Sequence, residues 1–187
     1  MVNTLWDSKE KIVKKWYVKN GSILDVGCSK GVFLSRFDES IKVGIDINPN
    51  VKKIIEEKGI RFFCWDLTKE FYLGKSFDNI FCLDVLEHLP NPRNCIKSCF
   101  NSLKEKGLLF VSVPYWGFWK RLIAVLFHFD RIFGYETDHV RYYSPKALKT
   151  MLKESGFVIK KEYKIGRFYP FYMNYVLVCT KRLTHRL

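Results

Sequence analysis

A chain of 187 residues, 48% hydrophobic and 17% aromatic, has apolar material for one substantial core and is too short for two ordinary domains, so a single domain over 1–187 is expected. The formal net charge of +13 suits an anionic partner (nucleic acid, a phosphorylated substrate or a lipid headgroup surface) and equally a solvated basic face. Six cysteines without a CxxC pair, most of them inside apolar runs, read as reduced buried thiols; Cys95 and Cys99 share a helix face but lack partner ligands, and no metal is expected.

Residues 1–19 are polar and lysine-rich and lack the apolar run and small-residue cleavage site of a secretory signal, so a cytoplasmic protein is expected. Within them Leu5, Trp6, Ile12, Val13, Trp16 and Tyr17 recur at helical spacings and predict an opening amphipathic helix. Residues 22–26 form an apolar run that ends at Gly27, and Val32, Phe33, Leu34 and Phe37 follow at helical spacing. This is strand, glycine turn, helix. The unit repeats with a strand over 42–47, Asn48 and Pro49 as N-cap and first helical residue, and Gly59 as the stop.

A third strand over 60–65 and a fourth over 77–83 come next. Asn91 and Pro92 open a helix that carries Cys95, Ile96, Cys99 and Leu103 on one face and stops near Gly107, before a fifth strand over 108–113. Ser144 and Pro145 start a last helix, bearing Leu148, Met151 and Leu152 and ending at Gly156. Two β-rich runs remain, 157–163 and 172–180, with no helix between them. Alternating strands and helices with short connections require a parallel sheet with right-handed crossovers. The expected fold is α/β: a three-layer sandwich whose mostly parallel seven-stranded sheet is closed by an antiparallel C-terminal hairpin.

In such a sheet ligands bind beyond the carboxyl ends of the strands, so residues that end strands are the candidates for chemistry. Asp25, Gly27, Cys28 and Gly31 end the first strand in a glycine turn that lets a ligand approach the backbone. Asp25 also suits capping of the turn's own N–H groups. Asp46 ends the second strand at about the 20-residue spacing from which an acid reaches ribose hydroxyls; an apolar strand end leaves its charge costly unless it meets a ligand or water. A dinucleotide fingerprint would need further glycines where Ser29 and Val32 stand, and no Gly-Lys-Ser/Thr phosphate loop follows.

Four stretches, Ile-Leu-Asp-Val-Gly-Cys-Ser-Lys-Gly at 23–31, Val-Gly-Ile-Asp at 43–46, Cys-Trp-Asp-Leu at 64–67 and Phe-Asp-Asn-Ile-Phe-Cys-Leu-Asp-Val-Leu-Glu-His-Leu at 77–89, resemble the ordered motifs of class I S-adenosylmethionine-dependent methyltransferases. The resemblance is to the small-molecule branch that includes quinone-biosynthesis C-methyltransferases. It implies a Rossmann-like fold and S-adenosyl-L-methionine as cofactor. By position it places Gly27, Cys28 and Gly31 at the methionine portion, Asp46 and Ile47 at the ribose, Asp66 and Leu67 at the adenine, and Leu83 beside the sulfonium. Asp66 reads equally as a plain turn residue. Many members have glycine where this chain has Ser29, which fits if the turn keeps φ negative there.

Methyl transfer from a sulfonium needs alignment more than activation, with a general base only for a protonated nucleophile. His88, after the fourth strand, and His139, beside Asp138, Arg141 and Tyr142, are the candidates, each with a packing role as the alternative. Residues 115–135 are rich in aromatic and aliphatic side chains, but Lys120, Arg121, His128, Asp130 and Arg131 interrupt them too often for a bilayer span of about 20 apolar residues. A substrate lid is the first reading; a surface helix making peripheral membrane contact, a dimer contact and core packing are the others. The expected function is methylation of a small-molecule acceptor, whether hydrophobic, lipid-linked or glycan-type. An RNA-directed methyltransferase using the basic surface and a non-catalytic cofactor-fold binding protein stand as alternatives.

Overall fold

Side chains alternate between the two faces of a β-strand, and a sheet covered by helices on both faces needs apolar residues at consecutive positions. The computed structural model of the chain describes residues 5–38, 41–115, 117–118, 122, 126, 140–167, 169 and 171–182. Seven strands form one sheet: β1 (Ile23–Val26), β2 (Lys42–Asp46), β3 (Arg61–Cys64), β4 (Phe77–Leu83), β5 (Leu103–Pro114), β6 (Phe157–Gly166) and β7 (Tyr172–Lys181). Their order is β3-β2-β1-β4-β5-β7-β6. The first five are parallel, and β7 runs antiparallel to both β5 and β6. The C-terminal hairpin thus joins the sheet through its second strand and leaves β6 at the edge.

Helices α1 (Leu5–Trp16), α2 (Lys52–Glu56), α3 (Pro92–Ser102) and α4 (Pro145–Glu154) flank the sheet. Leu24, Ile80, Cys82, Val111 and Leu177 face α3 and α4 in one core. Their strand neighbours Ile23, Phe81, Phe110 and Val176 face α1 and α2 in the other. The expected three layers follow from this alternation. In the second core the rings of Phe33, Phe37, Phe81 and Phe110 stand 5.1 to 5.6 Å apart, tilted or edge-on as aromatic quadrupoles favour. All six cysteines are free, and only Cys64 is exposed.

Two elements differ from the sequence expectation. The helix expected over 32–37 is one 3₁₀ turn, Leu34–Arg36, because Phe37 turns extended at φ −120° and drops its ring into the aromatic core. The chain is then already level with β2. The third helix ends at Ser102 rather than near Gly107, since Leu103 is buried and pairs with Phe77 as the first residue of β5. Gly107 lies within that strand, where a side chain would meet Leu103 at 2.8 Å. It serves close approach, not helix termination.

α1 is fastened to the sheet by buried polar groups as well as by Ile12 and Val13. The indole N–H of Trp16 donates to the Tyr163 hydroxyl at 2.7 Å. The side chain of Asn79, fully buried on β4, accepts from the Val18 N–H at 2.8 Å and donates to the Val18 carbonyl at 2.9 Å. Phe81 is the ring shared by three of the aromatic contacts. Phe81→Ala should cost about 3–5 kcal/mol, the range for deleting a buried phenyl group, read as the loss of unfolding free energy in urea.

Candidate functional site

The turn after β1 exists because two glycines make room for it. Gly27 adopts φ +75°, and a Cβ there would stand 2.5 Å from Val85. Gly44, in the middle of β2, lets the Cys28 thiol lie on the strand; a Cβ would meet its Sγ at 2.6 Å. Ser29 takes φ +46°, so the negative φ expected for a serine there is corrected to the left-handed region that favours glycine. Its strain is compensated locally: the Ser29 N–H donates to Asp46 Oδ2 at 2.8 Å. Asp46 Oδ1 accepts from the Asn48 N–H at 3.0 Å. Asp46, whose charge was expected to need a ligand or water, is thus met by backbone donors in the protein itself. A carboxylate has about four acceptor positions, so two remain for a ligand's hydroxyls.

Above this turn lies a cavity of about 460 Å³, bordered by Gly27, Cys28, Ser29 and Lys30, by the apolar walls of Trp6, Phe33 and Leu83, and by Asp25 and Asp84. Its size is that of a small-molecule site. Asp25 does not cap the turn: among the described residues its carboxylate accepts no hydrogen bond. Burial, and secondly the charge of Asp46, push it up to about 8. A buried acid in this state suits a positively charged ligand, whose approach would favour the ionised form. A sulfonium or ammonium group fits it.

Asp84, on the cavity's border, belongs to a charged pair that the sequence did not single out. The Lys9 ammonium, on α1, is fully buried and bonds Asp84 Oδ2. Asp84 Oδ1 accepts from the Ser112 hydroxyl at 2.7 Å and from the Asn174 amide at 2.9 Å. Burial pushes the lysine's affinity for its proton down, and Asp84 partly restores it. The signal was present in the sequence, because Lys9 stands on the apolar face with Leu5, Ile12 and Val13, where a charge needs a partner.

The other candidates are spread out. Ile47 is exposed beside Asp46, and Leu67 is buried in the first core. Asp66 holds its own turn, its Oδ1 accepting from the Thr68 N–H at 2.9 Å and hydroxyl at 2.7 Å, which keeps the acid low. Gly31 donates to the Cys28 carbonyl at 2.9 Å and closes the turn. His88 is exposed and does not border the cavity, whereas its neighbour Glu87 is buried and pushed up to about 8 by burial. His139 and most of 115–135 lie outside the described residues. A second cavity, about 600 Å³, lies between α4 and β6 with Lys149, Lys153, Lys160, Lys161 and Arg182 around it; part of the basic surface gathers there, at the far edge of the sheet.

A mostly parallel sheet with a glycine turn after β1, an acid ending β2 and a cavity over that turn is the arrangement in which α/β domains bind nucleotide cofactors. A family profile described as a methyltransferase domain matches residues 7–162. Ubiquinone biosynthesis O-methyltransferase from Glaesserella parasuis is 35% identical over 103 residues, covering 48% of this chain and 44% of that enzyme. The enzyme of the same name from Coxiella burnetii is 28% identical over 153 residues, 74% of this chain and 64% of the relative. The chain thus spans about half to two thirds of their length. Among solved structures, a possible histamine N-methyltransferase from Thermotoga maritima superposes with a TM-score of 0.74 at 16% identity, covering 95% of this chain and 89% of that one. Magnesium protoporphyrin IX methyltransferase from Synechocystis, with bound S-adenosylhomocysteine, does so at 0.71 and 18%, covering 94% and 81%. The chain belongs to the methyltransferase domain family.

The state of Asp25 makes stability depend on pH. The native carboxyl keeps its proton up to about pH 8, whereas an unfolded aspartate loses it near 4, so folding stability falls as pH rises between about 4 and 8. Asp25→Asn should remove part of that fall. Urea denaturation of the ligand-free protein should show the variant more stable than wild type at pH 9 and no more stable at pH 4.

Proposed function

We propose that this chain transfers a methyl group from S-adenosylmethionine to a hydroxyl oxygen of a small, largely apolar acceptor. The observation that carries the reading is the single cavity in which the glycine turn and Leu83 meet the apolar walls of Trp6 and Phe33. The oxygen as methylated atom rests on the names of the O-methyltransferase relatives. Bound in this cavity, the cofactor supplies an electrophilic methyl group on a positively charged sulfur.

The assignments follow the family resemblance, and Asp25, Gly27, Cys28 and Leu83, which border the cavity, support it. Gly27, Cys28 and Gly31 shape the backbone cradle for the methionine portion, and Asp25 offers it a negative charge. Asp46 uses its free acceptor positions for the ribose hydroxyls, with Ile47 against the sugar. Asp66 and Leu67 border the adenine side, and Leu83 closes on the sulfonium. Phe118, Leu122 and Leu126 expose their side chains at four-residue spacing. They form the apolar cover of a lid that excludes water.

Calorimetry should find one site for S-adenosylhomocysteine per chain, and Asp46→Ala should weaken it by about 1.5–3 kcal/mol, the scale of a hydrogen bond to a charged group. Labelled S-adenosylmethionine offered with a 4-alkylcatechol and with a primary amine of similar size should label the catechol oxygen. Labelling of the amine alone would overturn the reading. Replacing Phe118, Leu122 and Leu126 together by serine should lower kcat/KM for the catechol while cofactor affinity stays within about tenfold, or 1.4 kcal/mol. Unchanged kcat/KM would remove the lid from the proposal.

A further inference from the structure

Asp84 lies one residue past Leu83, within the fourth motif, and borders the cavity; no role has been assigned to it above. Its backbone is held at φ +55°, a conformation that a non-glycine residue adopts only when its surroundings impose it. They do: the Asp84 N–H donates to the Ser112 carbonyl at 3.0 Å and to its hydroxyl oxygen at 3.1 Å. Its side chain keeps 24% of its surface exposed, while its counterion Lys9 has none. Three donors occupy the carboxylate, Ser112 and Asn174 on Oδ1 and Lys9 on Oδ2. With about four acceptor positions, one remains for a group in the cavity.

Asn174 Oδ1 and both Glu87 carboxylate oxygens are buried with no hydrogen-bond partner among the described residues. Glu87 keeps its proton to about pH 8 and so is no base at neutral pH. His88, the nearest histidine in sequence, is exposed and does not border the cavity.

We infer that Asp84 is the catalytic base for the acceptor hydroxyl and that Lys9 is the positioning residue that holds its carboxylate toward the cavity. The inference rests on the oxygen-acceptor reading above. As the acceptor oxygen forms its bond to the methyl carbon, its proton passes to the Asp84 carboxylate. The carbon–sulfur bond breaks with its electron pair left on sulfur, which loses its positive charge. The site then holds a neutral carboxyl, a methyl ether and a neutral thioether; the positive charge lost from sulfur stays in the site on Lys9, which regains its counterion only when the carboxyl gives up the proton. The carboxyl returns its proton to water when the products leave.

The test compares two acceptors: a 4-alkylcatechol, which must lose a proton during transfer, and 4-nitrocatechol, already anionic at the assay pH. A base is needed for the first and not for the second. Asp84→Asn should lower kcat for the alkylcatechol by about 100-fold or more, within the usual range for general-base catalysis, and for nitrocatechol by less than tenfold, with S-adenosylhomocysteine affinity unchanged. Equal losses on both acceptors, or kcat retained on the alkylcatechol, would overturn the inference.

Asp84→Asn leaves the Lys9 ammonium buried without a counterion, so the variant K9M/D84N, which removes both charges, keeps the test open if the single variant does not fold. A double-mutant cycle completes it. Lys9→Met should lower kcat in the wild-type background and have no further effect in D84N, because Lys9 acts only through Asp84; additive losses would overturn the positioning role. Wild-type protein that labels neither catechol but labels an amine would refute the oxygen-acceptor reading, and this inference with it. A catechol-methylating wild type with an active Asp84→Asn variant would refute the inference alone.

Discussion

A lysine ammonium with no exposure to water must be neutralised inside the protein, and much of this structure is arranged around doing so for Lys9. Its counterion, Asp84, follows β4, so the pair ties the first helix to the centre of the sheet. Removing one partner of such a pair costs about 3–5 kcal/mol, because the other charge is left buried. The pair sets where α1 lies, and α1 sets the cavity's outer wall: the Lys9 ammonium sits 4.2 Å from the Trp6 ring centre, and Trp6 packs 5.5 Å from Phe33. Arg36 adds exposed links to Asp7 and Glu10 from the turn below. These are partly solvated and weaker. The buried pair fixes the register, and the surface pairs follow it.

The same constraint explains what the sequence made legible. β4 was readable to the residue because its two faces are both apolar, and the glycine turn was readable because Gly27 must take a positive φ against Val85. Asp46 was readable from its position at a strand end. The role of Lys9 was not, since pairing it with Asp84 requires knowing that α1 crosses the end of β4, a contact between residues 75 apart in the chain. A single apolar-face lysine gives the helix away and hides its partner. The short turn at 34–36 was missed for a related reason: Phe33, Leu34 and Phe37 have helical spacing, but Phe37 is drawn out of the helix by the aromatic cluster formed with Phe81 and Phe110.

Ser29 shows local strain balanced by one bond that also serves the site. A serine at φ +46° is disfavoured on its own, and the hydrogen bond from its N–H to Asp46 holds it there. That bond orients the Asp46 carboxylate, whose other oxygen is held by Asn48. The two loops that would meet a nucleoside are thus joined before any ligand arrives, and ordering them adds little cost on binding.

The cavity's charges then divide its labour. Burial, and secondly the charge of Asp46, raise the cost of ionising Asp25, which keeps its proton up to about pH 8. Asp84 has its own buried cation, so its charge is balanced whether or not a ligand is bound. One acid is thereby poised to respond to a positively charged cofactor, and another is insulated from it. In the proposed placement, a donor that arrives positive and leaves neutral would change the charge beside Asp25 during turnover. That change would favour entry of the charged form and, once the methyl group is gone, weaken the hold on the product.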